Sequence, residues 1–306
     1  MNKCGMEKTE LVKNFLSDET KKIALHDFVV GEIRTVLPKL SKELFPVGGQ
    51  WSDKEFFSRI EKYESTVAEL LEIQCLLSYW LKDGTSEVNA LPLRRLAAPI
   101  GIDSGINILL GLRWYPIQLL LYVGGISAIY ANKYQNLYQL FHSKGPDPDR
   151  SNGSISLLES INVGLSDIST GFKRLPGRKN NYVPESEHMF VKLQPILDDI
   201  LFLSTDYEDL YDRFEVIQAL EMAHINSKAN PNNFWGPVGR FAWKANHGRH
   251  SNPLMILLEE AKSSGKDWPP LLAGLFDGSI DRFVEVHAKY LHRVQNLVSC
   301  HACSDV

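Results

Sequence analysis

The chain lacks the signatures of the common nucleotide-binding and hydrolytic enzymes. Neither a GxxxxGK[ST] nor a GxGxxG phosphate-binding motif occurs, and there is no GxSxG nucleophile turn. The nine histidines allow many pairings with carboxylates, and no catalytic triad stands out by its spacing. The sequence therefore favours a protein without enzymatic activity, with no catalytic residues and no cofactor.

Cysteine is also scarce, and the net charge is slightly negative. Four cysteines in 306 residues do not make a disulfide framework, and the first residues contain no apolar core of a secretion signal. The net charge of −4 argues against a dominant nucleic-acid-binding surface, although it leaves a local basic patch open. We expect a cytoplasmic protein whose main partner is another protein, with nucleic acid as a secondary alternative and the oligomeric state left open.

One long apolar run stands out against this ordinary composition. The nineteen residues Trp114–Asn132 carry no charge and lie between Arg113 and Lys133. Their length suits a membrane span. However, Pro116 and the pair Gly124-Gly125 interrupt the apolar texture, and small residues also allow close helix packing in a protein core. We expect a buried central helix over Ile117–Ala131, with a membrane-inserting segment as the alternative.

The remaining sequence reads as helices, and strand-like alternation is absent. Apolar spacing predicts helices over Glu19–Leu37 and Asp53–Lys82, the second of them a long central helix capped by Ser52. The segment Lys144–Gly153 combines glycine, proline, aspartate and asparagine, which is typical of an exposed linker. The prediction is an all-α fold of two packed helical lobes around long central helices. The lobes would span residues 1–145 and 154–306, or form one continuous domain.

The segment Asn233–His250 alternates aromatic rings with cations. Tryptophan and arginine are frequent hot spots of protein interfaces, and rings beside cations also stack bases and bind phosphates. The aromatic rings could instead fill the core of the second lobe. The predicted partner-binding residues are Trp235, Arg240, Trp243, Lys244, His247 and Arg249.

A second basic stretch lies in the irregular region Gly171–Pro184. Long loops of this kind are often functional. If this stretch shared a face with the aromatic segment, the two would favour binding of an anion. The predicted anion-binding residues are Lys173, Arg174, Arg178 and Lys179.

Two patterns are typical of half a metal site. Cys300-x-x-Cys303 has zinc-ligand spacing, and Glu221-x-x-His224 is half of a helical di-iron motif. Neither pattern has its second half in the sequence. The alternative function is a metal-dependent hydrolase or nuclease that uses Glu221, His224 and the acidic residues near them.

Simpler interpretations of the same residues are also open. His287 and His292 are five residues apart and point about 140° apart on a helix, so both cannot easily reach one ion and complete a zinc site. The two cysteines could therefore simply lie on an exposed tail. Four acidic residues near Glu221 recur every third position and are typical of a solvated helix face. These acidic residues are Asp206, Asp209, Asp212 and Glu215.

Three pieces of sequence together resemble a known class of protein. They are LPLRR at Leu91–Arg95, the apolar run with its flanks at Arg113–Tyr134, and WGPVGRFAWK at Trp235–Lys244. This combination resembles the C-terminal helical region of large multidomain bacterial effector proteins of anti-phage immunity. The resemblance implies a sensor or regulatory subunit of a defence complex, whose effector is a separate chain. It also implies that the apolar run is buried.

Overall fold

Helices dominate the chain and form two compact units. The computed structural model describes residues 3–82, 87–165, 168–246 and 252–302. The first unit ends at residue 204 and the second begins at residue 205. Within the described residues there are fourteen α-helices and one two-stranded sheet, which confirms the predicted all-α fold.

Two long helices, α3 (Asp53–Trp80) and α6 (Tyr115–Tyr130), form the centre of the first unit. α3 begins where the sequence predicts, because the Ser52 hydroxyl accepts a hydrogen bond from the backbone N–H of Glu55 at 3.2 Å. Gly124 lets α6 approach its neighbours closely. A Cβ atom there would lie 2.9 Å from Leu140 Cδ1 and 3.0 Å from the amide nitrogen of Gln74.

The apolar run is buried within the first unit. Every residue of α6 except Tyr130 is buried, and so is Trp114, immediately before it. Among the described residues, one segment, Asn107–Tyr130, has the length and composition to cross a membrane, and 89 % of its apolar window is buried. The burial of this run agrees with the prediction of a central helix packed by its own protein.

Shorter elements surround these two helices in the first unit. The predicted helix over Glu19–Leu37 corresponds to α2 (Lys22–Val36), which buries Leu25, Val29, Ile33 and Val36. Pro38 follows it in a short 3₁₀ turn, Leu37–Leu40, as a helix-ending proline should. The other helices of this unit are α1 (Lys3–Leu16), α2 (Lys22–Val36), α4 (Leu91–Ala97), α5 (Asn107–Leu112), α7 (Tyr134–His142), α8 (Leu157–Gly164), α9 (Ile168–Phe172) and α10 (Pro184–Leu201).

The predicted linker is a β-hairpin inside the first unit. Strands β1 (Lys144–Pro146) and β2 (Ser154–Ser156) pair antiparallel. The hairpin packs tightly on α8, since the Ser160 hydroxyl donates a hydrogen bond to the Pro146 carbonyl at 2.7 Å. Glycine and proline here serve a close turn, and the division between the units lies at residue 204 instead of at the predicted 145–154.

The second unit is built from α11 (Tyr207–Ala229), α12 (Pro253–Ser264), α13 (Pro269–Leu272) and α14 (Ile280–Ala302). α11 packs against α12 and α14, and its central residues from Phe214 to His224 are all buried. An irregular segment, residues 230–239, and the 3₁₀ helix Arg240–Asn246 follow α11 and pack on it. This stretch carries the predicted partner-binding residues.

Candidate functional site

Residues 234–246, called here the tryptophan segment, are fixed to the helices beneath them. The Asn226 amide donates a hydrogen bond to the Trp235 carbonyl at 2.8 Å, and the Tyr290 hydroxyl donates one to the Pro237 carbonyl at 2.5 Å. Phe241 is completely buried and anchors the 3₁₀ helix in the core. The irregular backbone is therefore held by contacts on both α11 and α14.

Two glycines make this close attachment sterically feasible. A Cβ atom at Gly236 would lie 2.1 Å from the Ala219 carbonyl oxygen, and one at Gly239 would lie 2.1 Å from a carboxylate oxygen of Glu215. Neither position has room for any other residue. The WGPVG sequence thus lies directly on the backbone and buried carboxylate of α11.

The two cations of the tryptophan segment face inward. Arg240 is 8 % exposed and its Nη1 lies 3.3 Å from Asp212 Oδ1. Lys244 Nζ lies 2.5 Å from Asp212 Oδ2 and 2.6 Å from Glu208 Oε1. The sequence assigned both cations to partner binding, but the structure places them in an internal ion cluster.

The electrostatics of this cluster favour the charged forms of its lysine and its outer carboxylate. Burial lowers the pKa of Lys244, but its hydrogen bonds to Asp212 and Glu208 raise the pKa by more than burial lowers it. The net pKa of Lys244 is therefore above its ordinary value. The hydrogen bond from Lys244 likewise holds the pKa of Glu208 below its ordinary range. Burial, by contrast, raises the pKa of Asp212 despite its contact with Lys244. The hydrogen bonds among these side chains fix the segment in one position.

Of the four acidic residues at the start of α11, two lie in solvent and two in the interior. Asp206 and Asp209 are exposed, as a solvated helix face requires. Asp212 and Glu215 are buried, however, and lie against the tryptophan segment. The three-residue repeat does not distinguish these two halves. Residues three apart are less than one helical turn apart, so the four acids drift around the helix and do not share one face.

Large aromatic surfaces remain exposed on the same segment. The exposed fraction is 36 % for Trp235 and 49 % for Trp243. Lys244 Nζ lies 5.3 Å from the Trp243 ring centroid, and Phe234 lies 5.9 Å from the Arg282 guanidinium carbon. The segment therefore presents indole surface from a fixed backbone. His247 and Arg249, the last two predicted partner-binding residues, lie outside the described residues.

His224 is part of a hydrogen-bonded cluster next to α14. Its Nδ1 accepts a hydrogen bond from Arg282 Nε at 3.0 Å, and its Nε2 lies 3.5 Å from Asp277 Oδ1. Burial lowers the pKa of His224 more than Glu221 and Asp277 raise it. The ring is thus a neutral group with a partner at each nitrogen.

Glu221 holds the turn that carries Asp277. One of its carboxylate oxygens accepts a hydrogen bond from the Phe276 N–H at 3.0 Å. Phe276 and Asp277 have positive φ angles of 54° and 56°, which are uncommon for residues other than glycine. The predicted pair Glu221 and His224 thus stabilises a strained turn, and each side chain already has protein partners.

The described residues contain no cluster of three or more His, Cys, Asp and Glu side chains arranged to hold a metal. His287 lies in the interior, where its Nε2 is 2.9 Å from the Leu254 carbonyl. Cys303 and the side chain of Cys300 lie outside the described part of the molecule. The proposed cysteine pair at the C-terminus stays a prediction.

The second basic stretch belongs to the first unit. Lys173, Arg174 and Lys179 are exposed, and Arg178 is half-buried. Arg174 pairs with Asp53 at 2.9 Å, and its guanidinium lies 4.8 Å from the Trp51 ring centroid. This stretch and the tryptophan segment therefore lie on different units, and the anion-binding assignment remains an expectation for the first unit alone.

Sequence reasoning missed a buried polar network in the first unit. The Glu64 carboxylate accepts a hydrogen bond from the Tyr115 hydroxyl at 2.9 Å and lies 2.7 Å from His188 Nε2 and 2.8 Å from Lys192 Nζ. Burial raises the pKa of Glu64, but its contacts with His188 and Lys192 lower the pKa by more than burial raises it. The net pKa of Glu64 is therefore below its ordinary value. The signal was present, because Glu64 stands on the apolar stripe of α3, four residues after Ile60.

A second carboxyl group close to this network has the opposite electrostatic character. Burial raises the pKa of Glu185 to about 7, although hydrogen bonds with Gln118 and Ser169 partly offset the effect. Glu185 and His188 lie one turn apart on α10. The region therefore contains one charged carboxylate and one that titrates near neutral pH.

Comparison of the chain with protein-family models, with curated proteins and with solved structures gives no match.

Proposed function

We propose that the protein is a non-enzymatic interaction subunit that binds a partner protein through Trp235 and Trp243. The observation that carries this proposal is the exposure of two indole rings on a backbone locked to α11 and α14. Tryptophan supplies large contact areas at interface hot spots. A segment already fixed in place also loses little conformational entropy on binding.

The charge distribution of the segment favours a protein partner over nucleic acid. Binding of nucleic acid depends strongly on cations that neutralise phosphates. Within residues 231–246 the cations are Arg240 and Lys244, and both are paired with Asp212. The exposed surface is aromatic, and it matches an apolar pocket better than a phosphate backbone.

The wider role follows from the resemblance to helical regions of bacterial effector proteins. In this proposal the chain is a cytoplasmic sensor or regulatory subunit of an anti-phage defence complex. Its partner is an effector chain that supplies the catalytic activity. The segment WGPVGRFAWK, one of the three pieces that carry the resemblance, contains both proposed anchors.

Affinity capture from the cell of origin tests this function. The tagged full chain is expressed at its natural level, and co-purifying proteins are quantified for the wild type, for Trp235→Ala/Trp243→Ala, and for Trp80→Ala. Trp80 is the matched control, because it is 55 % exposed and lies on the first unit. We expect one stoichiometric partner that the double variant loses and the control retains. Retention by the double variant, or equal loss by Trp80→Ala, would overturn the proposal.

A further inference from the structure

A cavity of about 500 Å³ opens in the first unit beside the start of α6. Its apolar lining consists of the more exposed Leu37, Pro38 and Leu40 and, beneath them, buried side chains that include Leu96 and Ile117. Its size and its apolar lining with a few polar groups are those of small-molecule sites. This space, called here the Arg113 cavity, is separate from the tryptophan segment.

Two cations at the Arg113 cavity share a single carboxylate. Lys42 Nζ lies 2.6 Å from Asp103 Oδ1, and Arg113 Nη1 lies 2.7 Å from Asp103 Oδ2. The hydrogen bond from Lys42, followed by that from Arg113, holds the pKa of Asp103 below its ordinary range. The other acid of the lining, Glu43, is exposed and hydrogen-bonds locally with Ser41 and its own backbone. The lining therefore carries two cations, Lys42 and Arg113, and two acids, and the charge of Lys42 also acts on Glu43. Asp103 is the acid that both cations contact directly.

Asp103 lies in the middle of a connection that has few hydrogen bonds, although Gly105 packs closely on Val47. Ile100 and Ile106 are hydrogen-bonded through their backbones to Ala97 and Val47. Between them, in the described structure, the hydrogen bonds of residues 101–105 are those of Asp103 with Lys42 and Arg113. A carboxylate of the chain thus occupies the position where both cations meet, and it does so on a short loop.

We propose that the Arg113 cavity binds a small amphipathic anion. Its carboxylate or phosphate head exchanges with Asp103 between Lys42 and Arg113, and its apolar body packs on Leu37, Pro38 and Leu40. Exchange of Asp103 releases the loop at residues 101–105. This site stands independently of the tryptophan segment, and for a sensor subunit it would be the site of the trigger.

Calorimetric titration of the full chain with decanoate and with monodecyl phosphate tests the site. Decanol serves as the probe without charge and acetate as the probe without an apolar body. We expect saturable binding of at least one decyl anion and no measurable binding of acetate or decanol. The tighter of the two anions identifies the preferred head group. Absence of saturable binding of both anions, or equal binding of decanol, would contradict the proposal.

Three variants assign the binding to these residues. Lys42→Gln should weaken binding of the decyl anion about tenfold, the scale of one charge-assisted hydrogen bond. Lys42 is exposed, so this variant retains the fold. Asp103→Asn removes the competing charge and should tighten binding several-fold. Lys39→Gln, an exposed neighbour outside the cavity lining, should leave the affinity unchanged. Unchanged affinity in both Lys42→Gln and Asp103→Asn would overturn the assignment.

Discussion

Arg240 and Asp212 form an ion pair in the interior of the second unit, with Nη1 and Oδ1 3.3 Å apart. The sequence alone predicts that Arg240 contacts a partner protein. The structure predicts the reverse for this residue, because its charge supports the segment that carries the tryptophans.

Asp212→Ala should lower the free energy of unfolding of the second unit by about 3–5 kcal/mol, since it leaves two buried or half-buried cations without this partner. Arg240→Ala should cost less, about 1–3 kcal/mol, because Lys244 still neutralises Asp212. Chemical denaturation monitored by circular dichroism measures both changes. Lys262→Ala, on the surface of α12, is the control, expected within about 0.5 kcal/mol of the wild type. Equal stability of Asp212→Ala and the control would show that the cluster does not hold the unit together.

The Glu64 network predicts different costs for its buried and its exposed members. Tyr115→Phe removes a buried hydroxyl that donates to Glu64 and should cost about 1–2 kcal/mol. Lys192→Ala removes an ion pair whose lysine is 48 % exposed, and should cost less than about 1 kcal/mol. Urea denaturation of the two variants provides the comparison. A larger loss for Lys192→Ala would mean that solvent-exposed charge, and not the buried hydroxyl, dominates this site.

Glu185 predicts a stability that falls as the pH rises. Its folded pKa, about 7, lies above the ordinary value of 4.5, so the folded state binds the proton more tightly than the unfolded state. The resulting stabilisation is complete below pH 4.5 and is lost as the pH rises through 7. A shift of this size corresponds to about 3 kcal/mol.

Glu185→Gln isolates this contribution, because glutamine keeps the shape and removes the titration. The variant and the wild type should be similarly stable at pH 5, and the variant should be the more stable at pH 8. Urea denaturation at a series of pH values gives the difference curve. A curve that is flat between pH 5 and pH 8 would rule out a raised pKa at this position.

Two helical glycines should respond oppositely to substitution. Gly124→Val places a branched side chain where even a Cβ atom lies 2.9 Å from Leu140, so we expect a loss of about 1–3 kcal/mol. Gly31→Ala in α2 meets no atom within 4 Å and should gain about 0.5–1 kcal/mol from helix propensity alone. Melting temperatures of the two variants provide the test. A neutral Gly124→Val would mean that α6 does not need a small residue at this contact.

The periodic parts of the fold could be predicted from the sequence. The apolar stripe and the Ser52 cap place the start of α3 correctly, and the uncharged run predicts the buried α6. The predicted linker at 144–153 forms a tight hairpin on α8, because glycine and proline also build close turns. Composition identifies a turn, but whether that turn packs against a helix depends on tertiary contacts.

The candidate site was predictable in composition and not in orientation. The sequence identifies the tryptophan segment, and both of its tryptophans are exposed. It does not reveal that Arg240 and Lys244 turn inward, because their partners Glu208 and Asp212 lie about thirty residues earlier in the chain. Pairing over that distance is set by how α11 and the segment pack. The same applies to Asp103, which lies far in sequence from Lys42.

The dissociation constant of the purified partner is the most direct test of the central claim that the tryptophan segment is the binding surface. Titration calorimetry should give an affinity at least about 30-fold weaker for Trp235→Ala/Trp243→Ala than for the wild type, the scale of a 2 kcal/mol hot spot. Trp80→Ala should match the wild type, and all three proteins should melt at nearly the same temperature. An unchanged dissociation constant in the double variant, with the fold intact, would contradict the account.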